Sequence, residues 1–238
     1  MHAKIVLVHG AFAESASWDG VVDHLLAAGH DVVAAANPLR GLAADAAAVS
    51  DVVRAIDGPV VLVAHSYGGA VISNVDAEAG EITGLVYVNG FAPDAGESCF
   101  ELAGRFPGSR LGPETTRAVP RADGTTDLSI AADRFRDVFC QDLPAARAAR
   151  MAATQRPATQ EALVESSGAR PLWKDVPSWF LTGEEDRVIP AALQRFMAQR
   201  AGARRTVAID GASHAAPVSQ PAAVVELILE AVALHAVV

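Results

Sequence analysis

A serine, a histidine and a set of carboxylates in this chain each stand at the end of an apolar run, where side chains of these types can do nucleophilic chemistry. Pro59 to Ala64 is a valine-rich run that stops at His65; Ser66-Tyr67-Gly68-Gly69-Ala70 follows, and Val71, Ile72 and Val75 return at helical spacing. The pattern reads as strand, sharp turn and helix, with Ser66 at the apex. Such a turn needs small neighbours, because the serine is held in a strained conformation that lifts its hydroxyl clear of the sheet. Ala64 and Gly68 supply them, and Gly69 lets the helix pack close to its surroundings. The helix starting at the serine has first N–H groups with no helical partner, which favours negative charge there. A serine hydroxyl is a weak nucleophile and needs a base oriented by an acid. His214 follows the last short apolar run, Arg205 to Ile209, and is the candidate base. The candidate acid lies in Gly183-Glu184-Glu185-Asp186, after the run Val176 to Thr182. Asp186 is favoured because it sits just before Val188-Ile189-Pro190, which leads into a helix; Glu184 and Glu185 are its neighbours, and Asp94, after an earlier strand, is the runner-up.

These residues need a frame. Lys4–Val8, Asp31–Ala36, Pro59–His65 and Ile82–Val88 read as buried strands. Between them lie a helix with Trp18, Val21, Val22, Leu25 and Leu26 on one face, ending near Gly29, a second helix over Gly41–Ile56, and the helix after Ser66, running to about Ala79. Alternation of this kind predicts a mostly parallel sheet with helices on both faces. Ligand sites in such sheets lie at the carboxyl ends of strands, where Ser66 and the His9-Gly10 turn both fall.

After Phe91-Ala92-Pro93-Asp94 the pattern breaks. Residues 97–173 read as a cap inserted in a core made of 1–96 and 174–238. Within it, Arg117–Ile130 with Asp123-Gly124 at its centre predicts a hairpin, and Ser129–Gln141, Pro144–Ala153 and Pro157–Ser166 predict short helices. The sheet resumes at Val176–Thr182. A helix over Ala191–Ala201, the strand Arg205–Ile209 and an amphipathic helix over Pro221–His235 complete the chain.

Composition narrows the classes of function. The 238 residues carry a formal net charge of −9, which argues against nucleic acid or an anionic membrane as partner. No apolar run is long enough to span a membrane, and the apolar run at Ile5–Val8 is too short for a signal peptide, so the chain reads as cytoplasmic. Its two cysteines, Cys99 and Cys140, follow no metal-binding spacing and read as free thiols.

The motifs together resemble the α/β-hydrolases. The likeness is to the compact subgroup of plant methyl-ester esterases and hydroxynitrile lyases, with related bacterial esterases. It is carried by His9-Gly10-Ala11, Trp18, Ala28-Gly29-His30-Asp31-Val32, Ala64-His65-Ser66-Tyr67-Gly68-Gly69, Phe91-Ala92-Pro93-Asp94, Gly183-Glu184-Glu185-Asp186 and Ser213-His214. Ala64, where glycine is usual, is a mild departure. The resemblance implies an α/β-hydrolase fold with a six-stranded, mostly parallel sheet and a small cap, and chemistry with no cofactor and no metal. It implies Ser66 as nucleophile, His214 as base and Asp186 as acid, with the N–H groups of Ala11 and Tyr67 as the oxyanion hole, Phe12 being the alternative to Ala11. His9 reads as structural. The implied partner is a small-molecule ester; a homodimer is left open. The same set could serve a hydroxynitrile lyase, perhydrolase, lactonase or carbon–carbon hydrolase, and a further alternative is a ligand-binding member without catalysis. The lyases place a lysine directly after the histidine and a threonine directly before the first oxyanion donor; here those positions hold Ala215 and Gly10. Phe91, Phe100, Phe106, Phe135, Phe139 and Trp173 are candidates to line an apolar pocket under the cap.

Overall fold

A computed structural model describes residues 3–235. Its first half alternates strictly: β1 (Lys4–Val8), α1 (Asp19–Ala27), β2 (Val32–Ala35), α2 (Leu42–Arg54), β3 (Pro59–His65), α3 (Tyr67–Ser73) and β4 (Glu81–Val88). The chain then leaves the sheet for α4 (Cys99–Ala103), β5 (Thr116–Pro120), β6 (Thr126–Ile130), α5 (Ala132–Phe139), α6 (Ala145–Thr154), β7 (Ala158–Thr159) and α7 (Gln160–Val164). It returns with β8 (Ser178–Gly183), α8 (Ala191–Arg200), β9 (Arg205–Ile209), α9 (Ala216–Ser219) and α10 (Pro221–His235). The main sheet has six strands in the order β2-β1-β3-β4-β8-β9, and every pair in it is parallel.

Period-two alternation divides the core between the two faces of this sheet. Val6, Val8, Leu62, Ala64, Leu85 and Tyr87 point to the side covered by α2, α3 and α8, where Val49, Ile72 and Met197 meet them. Ile5, Leu7, Val61, Val63, Val86 and Val88 point the other way, against Trp18, just before α1, Leu25 of α1, and Val224 and Ile228 of α10. Burying each large aliphatic side chain contributes about 1.5–3 kcal/mol, so β3, buried along its whole length, is a rigid base for the turn that follows it.

Two sequence expectations shift. The helix after Ser66 ends at Ser73 rather than near Ala79. Asn74 turns its side chain back to the Ala70 carbonyl at 2.9 Å, and Asp76 N–H leaves to bond Ser50 Oγ at 3.0 Å, so local polar bonds end the helix. The expected helix from Pro157 begins as β7, which pairs with β6 through Asp127↔Thr159 and Leu128↔Ala158; Thr159 N–H also donates to the Leu39 carbonyl at 3.0 Å. The hairpin forms as expected, with β5 and β6 antiparallel and Gly124 at φ 85° in its turn. Both cysteines are free and buried. Among the described residues no helix is long and apolar enough to cross a membrane.

Candidate active site

β3 delivers Ser66 to the carboxyl end of the sheet in a backbone conformation that L-residues avoid, φ 56° and ψ −127°. The surroundings hold it there: its carbonyl accepts N–H bonds from Gly69 at 2.9 Å and Phe91 at 3.0 Å. Strain of this kind costs about 1–3 kcal/mol and persists only where neighbouring structure enforces it. Both glycines are needed. A Cβ at Gly68 would lie 2.6 Å from the Val8 carbonyl oxygen, and one at Gly69 would run into the backbone of Phe91.

The loops after β8 and β9 bring the acid and the base to the same point. His214 Nε2 lies 2.9 Å from Ser66 Oγ, and His214 Nδ1 lies 2.8 Å from Asp186 Oδ2. The imidazole and the carboxylate are both fully buried. Asp186 Oδ1 accepts the backbone N–H groups of Val188 at 2.8 Å and Ile189 at 2.9 Å. Its Oδ2 accepts Asn89 Nδ2 and Gln194 Nε2, each at 2.8 Å, in addition to the imidazole. A carboxylate surrounded by donors is fixed in orientation. With Oδ2 accepting, Nδ1 carries the proton, and Nε2 presents its lone pair to the serine hydroxyl.

The competing acids lie elsewhere. Asp94 pairs with Lys174, and that hydrogen bond holds its carboxyl below the usual carboxylate range. Glu184 is bidentate to Arg195 at 2.7 and 2.8 Å, and Glu185 is exposed.

The turn after β1 forms the other wall. Phe12 N–H is spent on the Arg156 carbonyl at 3.2 Å, which leaves Ala11 as the better placed of the two candidate amides in this loop. Tyr67 N–H opens α3, with no carbonyl one turn earlier in the helix to bond. The phenol of Tyr67 is tethered beneath the site, donating to the buried Asp45 at 2.8 Å. His9 is locked into the fold: its Nδ1 donates to the Gly10 carbonyl at 2.9 Å, and its Nε2 accepts Asn37 N–H at 3.2 Å. Burial lowers its pKa. Gly10 presses on the nucleophile itself, for a Cβ there would lie 2.5 Å from Ser66 Cβ and 3.1 Å from Oγ. A small cleft lined by Phe12, Glu14, Asp19 and, from α6, Arg147, Arg150 and Met151 lies beside this loop.

Sequence reasoning missed three participants. Asn89 and Gln194 cradle the acid, yet an asparagine at a strand end and a glutamine inside α8 carry no motif; the positive φ of Asn89, 44°, has no signature in a single sequence. His65 donates through Nε2 to the His214 carbonyl at 2.7 Å, with the two rings 4.6 Å apart. Of the aromatic residues expected around a pocket, Phe139 meets the His214 ring edge-on, with centroids 4.8 Å apart, whereas Phe100 is 68% exposed and faces solvent.

A six-stranded parallel sheet carrying a strained serine, with a histidine and a buried carboxylate brought to it from two later strand ends, defines an α/β hydrolase. The chain belongs to that family: residues 5–227 match the model of the alpha/beta hydrolase family. It is 28% identical to alpha/beta hydrolase nvfD of Aspergillus novofumigatus, over 95% of each chain. It is 27% identical to the pyrethroid hydrolase of Sphingobium wenxiniae, over 95% of this chain and 86% of that one. Among solved structures it is similar to polyneuridine aldehyde esterase, with a TM-score of 0.80 and 20% identity over 97% of this chain and 99% of that one.

Proposed function

We propose that this enzyme hydrolyses carboxylic esters of small molecules through an acyl-enzyme on Ser66. One observation carries the reading: the unbroken hydrogen-bond chain from Ser66 Oγ through the His214 ring to Asp186, starting at a serine with φ 56°. In the first half-reaction Oγ attacks the ester carbonyl while Nε2 takes its proton, and the imidazolium returns that proton to the departing alkoxide. Water, activated by the same nitrogen, then releases the acid. The N–H groups of Ala11 and Tyr67 hold the carbonyl oxygen as it becomes an anion, and such donors are worth about 2.7–4 kcal/mol each. Asp186 keeps the tautomer and stabilises the imidazolium. The insert 97–173 acts as the cap of this site. The esterase and hydrolase names of the relatives support the class of substrate.

The chemistry of Gly10 and Ala215 favours ester hydrolysis over cyanohydrin cleavage. A lyase must stabilise departing cyanide, and a lysine about 4 Å away would contribute on the order of 4 kcal/mol at an effective dielectric of 20. Ala215 is buried and apolar, and the space at Gly10 admits no threonine without moving Ser66. The deciding experiment assays a short aryl ester and mandelonitrile side by side with wild type and Ser66→Ala. Ester turnover falling by three or more orders of magnitude in the variant, with negligible cyanide release by wild type, is expected. Efficient cyanide release, with ester turnover no better than in the variant, would overturn the assignment.

A further inference from the structure

The insert holds both triad loops through one short segment at the end of α5. Gln141 Nε2 donates to the carbonyl of Glu185, the residue before the acid, at 2.6 Å. The Asp142 carboxylate accepts the N–H of Ser213, the residue before the base, at 3.1 Å. Phe139 lays its ring edge-on to the imidazole of His214 at 83°. Asp137 binds Arg187, the residue after the acid, at 2.6 Å, and the same guanidinium donates to the Asp137 carbonyl at 3.1 Å.

The His214 loop needs such support. It follows β9, which is the edge of the sheet, with no further strand beyond it among the described residues. From the core it is held by Asn89 Nδ2 on the Ser213 carbonyl at 3.1 Å and by His65 on the His214 carbonyl. The contact on the Ser213 N–H comes from the insert.

We propose that residues 137–142 are a clamp that sets the position of His214 against Asp186 and Ser66, with Gln141 and Asp142 as positioning residues. The insert is then a fixed part of the catalytic apparatus along this side. This inference rests on the Ser66–His214–Asp186 reading. Reacting groups lose about a hundredfold in rate for a displacement of about 1 Å, and the clamp is one of several anchors, so removing one of its bonds costs on the order of tenfold.

The test is steady-state ester hydrolysis, with melting midpoints, by wild type, Asp142→Ala, Asp142→Asn, Gln141→Ala and, as control, Ser66→Ala. Asp142→Ala is expected to lower kcat about tenfold with KM within about twofold. Asp142→Asn, whose amide oxygen still accepts the Ser213 N–H, is expected to recover kcat to within about twofold of wild type. Asp142 is exposed, so the fold tolerates both changes; should Asp142→Ala melt early, Gln141→Ala carries the test with the same expected loss in kcat. Unchanged kcat in both alanine variants, an Asn variant as slow as the Ala variant, or a change confined to KM overturns the clamp. An active Ser66→Ala control overturns the triad reading instead.

Discussion

Replacing Asp186 by asparagine tests the site most severely, because the structure dictates which way the new amide must turn. Oδ1 accepts two backbone N–H groups, Val188 and Ile189, which cannot be re-aimed. The amide oxygen therefore stays at Oδ1, and the NH2 group replaces Oδ2, facing three donors: Asn89 Nδ2, Gln194 Nε2 and His214 Nδ1. The imidazole can relieve its clash by moving its proton to Nε2, but Nε2 then points an N–H at Ser66 Oγ and cannot serve as base. Asn89 Oδ1 and Gln194 Oε1 are both buried without a partner among the described residues, so either amide can flip to accept from the new NH2. Flipping abandons its second bond, to Ser213 or Ile189. Each buried hydrogen bond lost in this way costs about 1–3 kcal/mol, so the variant stays folded with a lower melting midpoint. The wrong tautomer costs about four orders of magnitude in kcat, or about 5.4 kcal/mol at 1.36 kcal/mol per tenfold. The assay is kcat for a short aryl ester from pH 5 to 9 on wild type, Asp186→Asn and Asp94→Asn. Asp94→Asn, which disturbs the pair with Lys174 and the bond that the carboxylate accepts from Ala95 N–H, both away from the triad, stays within about twofold. A kcat for Asp186→Asn within about tenfold of wild type, or a larger loss from Asp94→Asn, would refute the reasoning.

Two further expectations follow from the same geometry. Gly10→Ala places a methyl 2.5 Å from Ser66 Cβ and 2.8 Å from the His65 carbonyl oxygen, so the nucleophile must move and kcat/KM falls by about a hundredfold or more; ester turnover near wild type would show that the turn yields without displacing Ser66. Burial depresses the pKa of His9 and, more strongly, of His65 from 6.5, so the folded protein stays unprotonated there while the unfolded chain takes up protons; stability is full above about pH 6.5 and lost as pH falls below it, by up to about 1.4 kcal/mol per pH unit for each histidine. The melting midpoint should drop between pH 7.5 and 5.5, and a flat or rising midpoint over that range would contradict the neutral buried state; Asp45, raised by burial, acts in the opposite sense.

The sequence alone determined the elements that local rules govern. Valine-rich runs broken by Gly-Pro and Asn-Pro marked the strands, because a strand buried on both faces must be apolar throughout, and small residues around Ser66 marked the turn, because its backbone admits nothing larger. The meeting of Ser66, Asp186 and His214 was legible for the same reason: each stands at the end of such a run. Tertiary structure decided what depends on contacts between distant segments. It separated Asp186 from Glu184, Glu185 and Asp94, since only the packing of β8 against β9 brings one of them to His214. It spent the Phe12 amide on Arg156, and it recruited Asn89, Gln194, His65 and the Phe139–Asp142 segment to the site from four parts of the chain. Side-chain amides and carbonyls acquire such roles by position in space, and no spacing along the chain records it.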